Sequence, residues 1–249
     1  MPTVHIPLLL KFGEKEHIEK LLNEGTIFMN RLGHYVELEK DESQKELKRA
    51  DRYEGLYERY RPESVKIIID SKEIEGLAEF VDIRLNEIMD KYVYCMAAIK
   101  IERIYDYKAG KIPRLIPEEL EKFGDYCTVI FATGEFVKRF RETFDVEQLD
   151  FISYVDLKNT EGRIGPFKKD LEFQNQLEFR ILVKNHTNSK SPMIGQIGSL
   201  EGLAFNMETK SLEEGLTRNI VTKLKDKEGK DIEMSFLDFL IWRYENLGL

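Results

Sequence analysis

The chain has 249 residues, 42% hydrophobic and 34% charged, with a formal net charge of −8. That length allows one large domain or two small ones with a substantial core, and the balance of residue types argues against wholesale disorder. The negative charge disfavours a broad basic nucleic-acid footprint and offers no attraction to an anionic membrane, while leaving room for a local cationic groove.

The first residues lack a basic start, an apolar core and a small-residue cleavage site, and no apolar run approaches a bilayer-spanning length, so the chain reads as a soluble cytoplasmic protein. Val4 to Phe12 reads as a strand, with Pro7 suggesting an edge or bulge. Glu14 to Asn23 has helical spacing and stops at Gly25. Thr26 to Asn30 returns as a short strand. Val65 to Asp70 and Tyr92 to Ile101 read as buried strands. Gly110, Pro113 and Pro117 mark Tyr105 to Pro117 as a loop, and Glu118 to Phe123 as a short helix after it.

Tyr126 to Ala132 is a further buried strand, followed by a helix to Thr143 that Thr133 is expected to cap. Phe151 to Leu157 is a strand, Lys158 to Pro166 a loop, and Lys184 to Pro192 another. Gly195 to Ala204 is punctuated by glycines. Ser235 to Asn246 has the spacing of a closing amphipathic helix, through Phe236, Phe239, Leu240 and Arg243. Strands outnumber helices and do not alternate with them, so the expected class is α+β, in a single unit spanning 1–249.

Cys95 and Cys127 each sit in an apolar run, which suits buried free thiols, with one bridge as the alternative. They are too few for a cysteine-rich zinc site, and the four histidines show no metal-ligand spacing. A Walker loop, a dinucleotide fingerprint and a Gly-x-Ser-x-Gly elbow are all missing.

Two segments carry candidate chemistry. Gln176 to Val183 alternates, so a strand would bury Leu177, Phe179, Ile181 and Val183 on one side and align Gln176, Glu178 and Arg180 on the other. A carboxylate between an amide and a guanidinium on a rigid element is a pre-positioned polar site. The alternative is a solvated face with a weak Glu178–Arg180 pair. Arg49 to Gly55 crowds Arg49, Asp51, Tyr53 and Glu54 into a loop, either a solvated charge run or a segment closing over an anionic or aromatic ligand.

The opening strand through Lys11, the helix with Leu21-Leu22 before Gly25, the strand Thr26 to Asn30 and the Gln176-Leu177-Glu178 pattern together resemble ADP-ribosyltransferases. Asp51 to Gly55 and Glu178-Phe179-Arg180 are also similar to poorly characterised bacterial proteins found near phage-defence and toxin genes. The likeness covers roughly residues 8–55 and 126–205. It implies two packed mixed or antiparallel sheets with short peripheral helices, NAD as substrate, and a macromolecular acceptor, protein or nucleic acid, with a defence-system partner.

By that resemblance Glu178 stabilises the oxocarbenium character of the ribose and holds its 2′-hydroxyl, while Gln176 orients the acceptor. Lys11, Asn30, Arg49, Tyr53 and Arg180 contact the cofactor. Lys11 stands where the family usually has Arg or His, and Tyr94 to Ala98 lacks the family's Ser-Thr-Ser series. Two other readings stay open. A metal-dependent nuclease would use Asp156 with Glu178-Phe179-Arg180, although Arg cannot serve as the base. A non-catalytic module would sense a nucleotide or a phage protein.

Overall fold

Tyr92–Ile99 is a run of eight uncharged residues, a strand fit to be buried on both faces. The computed structural model describes residues 6–38, 51–74, 76, 79–187, 189–225 and 231–247. Its main sheet is built, in chain order, from β1 (Leu8–Gly13), β2 (Thr26–Arg31), β3 (Tyr92–Ile99), β4 (Tyr126–Ile130), β5 (Val146–Phe151), β6 (Glu178–Val183), β7 (Met193–Gln196) and β8 (Ala204–Glu208). The principal helices are α1 (Lys15–Glu24), α2 (Leu32–Leu38), α3 (Ile101–Lys108), α4 (Thr133–Thr143) and α5 (Phe236–Leu247).

The chain is α+β. The eight strands pair antiparallel, with order β7-β2-β3-β1-β4-β8. β6 lies along the opposite edge of β3, and β5 lies outside β6. The expected pair of packed sheets is thus one sheet that forks. On one edge β3 pairs with β2 at Tyr92 and Val93, and with β1 from Ala97 to Ile99. Between those contacts Tyr94, Cys95 and Met96 pair with neither strand. On the other edge β6 pairs without interruption from Tyr92 to Ala97.

Two apolar cores sandwich the sheet. Phe136 and Phe140 of α4 pack with Tyr94, Met96, Phe179 and Ile181 on one side. Phe236, Leu237 and Leu240 of α5 join Ile101 and Ile104 of α3 against Leu8, Leu10 and Ile99 on the other. Each fully buried aromatic contributes roughly 1.5–3 kcal/mol of transfer free energy. No helix among the described residues is long and apolar enough to cross a membrane.

Several elements differ from expectation. β1 begins at Leu8 and lies between β3 and β4, so Pro7 precedes an interior strand instead of marking an edge. Val65 to Asp70 is not a buried strand. Ile68–Ile69 pairs with Lys72–Glu73 across Asp70 and Ser71, both at positive φ (50° and 64°). That tight turn directs the run outward, leaving Ile68 63% and Ile69 57% exposed.

Ile101–Lys108 is helical where a loop was expected at Tyr105, because the breakers begin only at Gly110. Thr133 does not cap α4. Its hydroxyl donates to the Ile6 carbonyl at 2.6 Å instead. The strand expected from Phe151 to Leu157 divides into the end of β5 and Ser153–Val155, which pairs parallel with Lys168–Asp170. Gly25 does end α1, at φ 68°, and a Cβ there would collide with the Gly198 carbonyl.

Candidate functional site

The fork opens a cleft of about 410 Å³ beside the unpaired stretch of β3. Lys11 of β1, Asn30 of β2, Tyr35 of α2 and Glu178 of β6 all face it, as does Gln176. Gln176 does not belong to the strand. It ends the turn Leu171–Gln176, and Leu177 then takes a left-handed conformation (φ 48°) before β6 begins. Leu177 packs with the α3–α5 core, whereas Phe179, Ile181 and Val183 join the α4 core. The expected single apolar row is therefore broken at its first member.

The polar face of β6 is not solvated. Glu178 is 6% exposed and Arg180 1%. Arg180 Nε donates to Glu178 Oε1 at 2.8 Å. Its Nη1 donates to Glu54 Oε1 at 2.7 Å and to the Pro166 carbonyl at 2.6 Å, and Nη2 donates to Glu54 Oε2 at 3.1 Å. Nη2 also lies 2.8 Å from Glu178 Oε1 as an ion pair, so the guanidinium makes four hydrogen bonds and is charge-paired to both carboxylates. Arg180, 1% exposed, is thus spent mainly on orienting the two carboxylates.

Lys169, which sequence reasoning missed, completes the cluster. Its Nζ lies 2.7 Å from Glu178 Oε2 and 3.7 Å from Glu54 Oε2, and donates to Gln176 Oε1 at 3.1 Å. Asp170 fixes the chain just after it, accepting from Glu172 N (3.2 Å) and Leu157 N (3.1 Å). Glu54 comes from a turn in which Asp51 Oδ1 accepts from Tyr53 N at 2.8 Å and Asp51 O from Glu54 N at 2.9 Å. Gly55 closes this turn at φ 69°, where a Cβ would strike Met89.

The electrostatics follow from this packing. Burial opposes the charge of Glu178, but Arg180 and Lys169 outweigh it and hold the carboxyl well below its ordinary range. Against burial, the Glu178 and Glu54 carboxylates in turn keep Lys169 and Arg180 firmly charged. Burial and the Glu178 charge push the Cys95 thiol up to about 12, and that thiol donates to Glu178. Burial and Glu54 push Asp51 up to about 7, and its Oδ2 has no hydrogen-bond partner among the described residues. Tyr154 accepts the Glu178 backbone N–H at 2.8 Å and fixes the start of β6.

Lys11 reaches into the fork, donating to the Cys95 carbonyl at 2.9 Å with its ammonium 4.2 Å from the Tyr94 ring centroid. Burial draws its ammonium below the ordinary value. Asn30 is hydrogen-bonded to Tyr35 at the cleft wall.

The structure thus brings together Glu178, Gln176, Lys11, Asn30 and Arg180. Tyr53 stands apart. Its ring is 3% exposed, packed by the guanidinium groups of Arg52 and Arg59 at 4.9 and 4.8 Å, and borders a different cleft. It is not placed to stack on a ligand beside Glu178. Arg49 lies outside the described residues.

Asp156 does not line the Glu178 cleft. It is exposed and accepts from Lys158 N at 3.1 Å and Asn159 Nδ2 at 2.7 Å, closing its own turn. Cys95 and Cys127 are free thiols. Comparison with family models, curated proteins and solved structures gives no match.

Proposed function

We propose that the cleft binds NAD and that the protein transfers ADP-ribose to a macromolecular acceptor, with the forked sheet as an ADP-ribosyltransferase-like scaffold. The observation that supports this reading is Glu178, an ionised carboxylate of fixed orientation at the wall of a cleft that also carries Lys11, Asn30 and Gln176. Breaking the nicotinamide–ribose bond develops positive charge at the anomeric carbon. A carboxylate held beside it favours the transition state over the ground state and costs no reorganisation. Lys169 and Arg180 act as positioning residues. Lys11 is the cleft cation with a donor to spare for a phosphate or ribose oxygen.

Glu178→Gln removes the charge while keeping two hydrogen-bonding atoms at the site. It is expected to bind NAD and to lose roughly 2–4 kcal/mol of transition-state stabilisation. Transfer of labelled ADP-ribose at the wild-type rate by this variant would refute the assignment.

A second reading is favoured by the saturation of the cluster, in which both oxygens of Glu178 already have partners. On that reading the cleft senses a nucleotide without chemistry. Thermal stabilisation by NAD with no label transfer to any acceptor is its signature.

A further inference from the structure

The register of β3 singles out one backbone group in the cleft. Antiparallel partners alternate between pairs that exchange N–H···O bonds and pairs that do not. Ala98 N–H donates to the Leu177 carbonyl at 2.8 Å. Alternation from there gives Met96 and Tyr94 to β6, opposite Phe179 and Ile181. Ala97, Cys95 and Val93 therefore turn their N–H and C=O groups toward the other edge. There Ala97 meets Leu10 of β1, and Val93 meets Asn30 of β2.

Cys95 lies between them, where the strands part, and has no strand opposite. Its carbonyl takes the Lys11 ammonium. Its N–H points into the fork, where neither β1 nor β2 places a residue in register with it. A backbone donor without a strand partner at the wall of a cleft needs its acceptor from water or a ligand. The Lys11 ammonium carries three donors, one of which is spent on the Cys95 carbonyl. Two donors of fixed position therefore converge on the gap, one neutral and one cationic.

We propose that the Cys95 N–H and the Lys11 ammonium together form a seat for one acceptor oxygen of the ligand, a carboxamide or phosphate oxygen. This inference rests on the reading of the cleft as an NAD site. The seat needs the fork, since extending β1 or β2 along β3 would pair Cys95 and erase the donor. It also gives Lys11 a positioning role toward the strand as well as toward the ligand.

Selective labelling with ¹⁵N-cysteine yields two amide signals, which Cys127→Ala assigns by the one it removes. Calorimetry on the same sample reports whether NAD binds. The expected result is a saturable downfield shift of the Cys95 amide on NAD addition, with its solvent exchange slowed at least about tenfold and Cys127 unmoved. Nicotinamide alone reproduces the shift if the seated oxygen belongs to the carboxamide, and ADP-ribose alone does so if it belongs to a phosphate. NAD binding that leaves the Cys95 signal in place overturns the seat while sparing the NAD site. Absence of NAD binding overturns both.

Discussion

On one side of β6, Phe179, Ile181 and Val183 share a core with Phe136 and Phe140. On the other, Glu178 and Arg180 meet Glu54 and Lys169 at nearly the same burial. The apolar side gains free energy simply by leaving water. The ionic side must first offset the desolvation of four charges, and does so through pairing and hydrogen bonds that leave neither carboxylate alone. Replacing such a network with well-packed apolar residues is often neutral or stabilising. Its presence here is therefore a stronger sign of function than of stability.

The largest expected effect breaks the apolar side. Phe179→Ala removes a fully buried ring, one that sits 5.5 Å from Phe151, and should cost roughly 3–5 kcal/mol in denaturant unfolding. A loss below 1 kcal/mol would show that the core can collapse around the gap. On the ionic side, Lys169→Met keeps length and bulk but strands Glu54 and Glu178 with Arg180 as their shared cation. A loss of about 3 kcal/mol is expected at neutral pH, together with loss of NAD stabilisation if Lys169 positions Glu178. Near-wild-type stability would mean that water already solvates the cluster.

Asp51 sharpens the contrast through pH. Its carboxyl rises from 3.8 to about 7 on folding, so the native state keeps a proton that the unfolded chain has released. Stability should therefore fall as pH rises from about 4 to 7, by no more than about 1.4 kcal/mol per pH unit. Glu178 acts in the opposite sense. Its carboxyl is depressed, so its contribution is complete above the ordinary carboxylate value and is lost only in stronger acid. Between pH 5 and 7 the Asp51 slope stands alone of the two. Asp51→Asn, which keeps an acceptor for Tyr53 N–H and places a donor at the unpartnered position, should flatten it. An unchanged slope would exonerate Asp51. The smallest effect is expected away from β6 altogether: Ile68→Thr on the exposed hairpin should stay within about 0.5 kcal/mol.

Much of the scaffold was legible because burial leaves a mark on the sequence. The uncharged run at Tyr92, the helical spacing around Leu21 and the glycine after it all formed the elements they suggested. Val65 to Asp70 misled for a physical reason. Its β-branched residues favour extended backbone, but propensity does not supply a surface to pack against. The site was legible in pieces, from Lys11 and Asn30 on the opening strands and from the residues around the start of β6. Glu178, Arg180 and Gln176 lie within five residues of each other, whereas Glu54 joins them from more than a hundred residues away. Charge complementarity across such a distance has no local signature. Lys169 was nearer at hand. The pattern Lys168-Lys169-Asp170, just upstream of a strand carrying two buried charges, was the available hint.

Leu177 carries a cost of a different kind. A branched side chain at φ 48° is an uncomfortable state for an L-residue, costing on the order of 1 kcal/mol that glycine would not incur. The chain bears this immediately before Glu178, and the strained peptide still gives its carbonyl to Ala98. Glycine there would remove that cost together with the side chain that holds the approach to Glu178 against the α3–α5 core. Freedom gained in the backbone would be set against packing lost one residue ahead of the carboxylate.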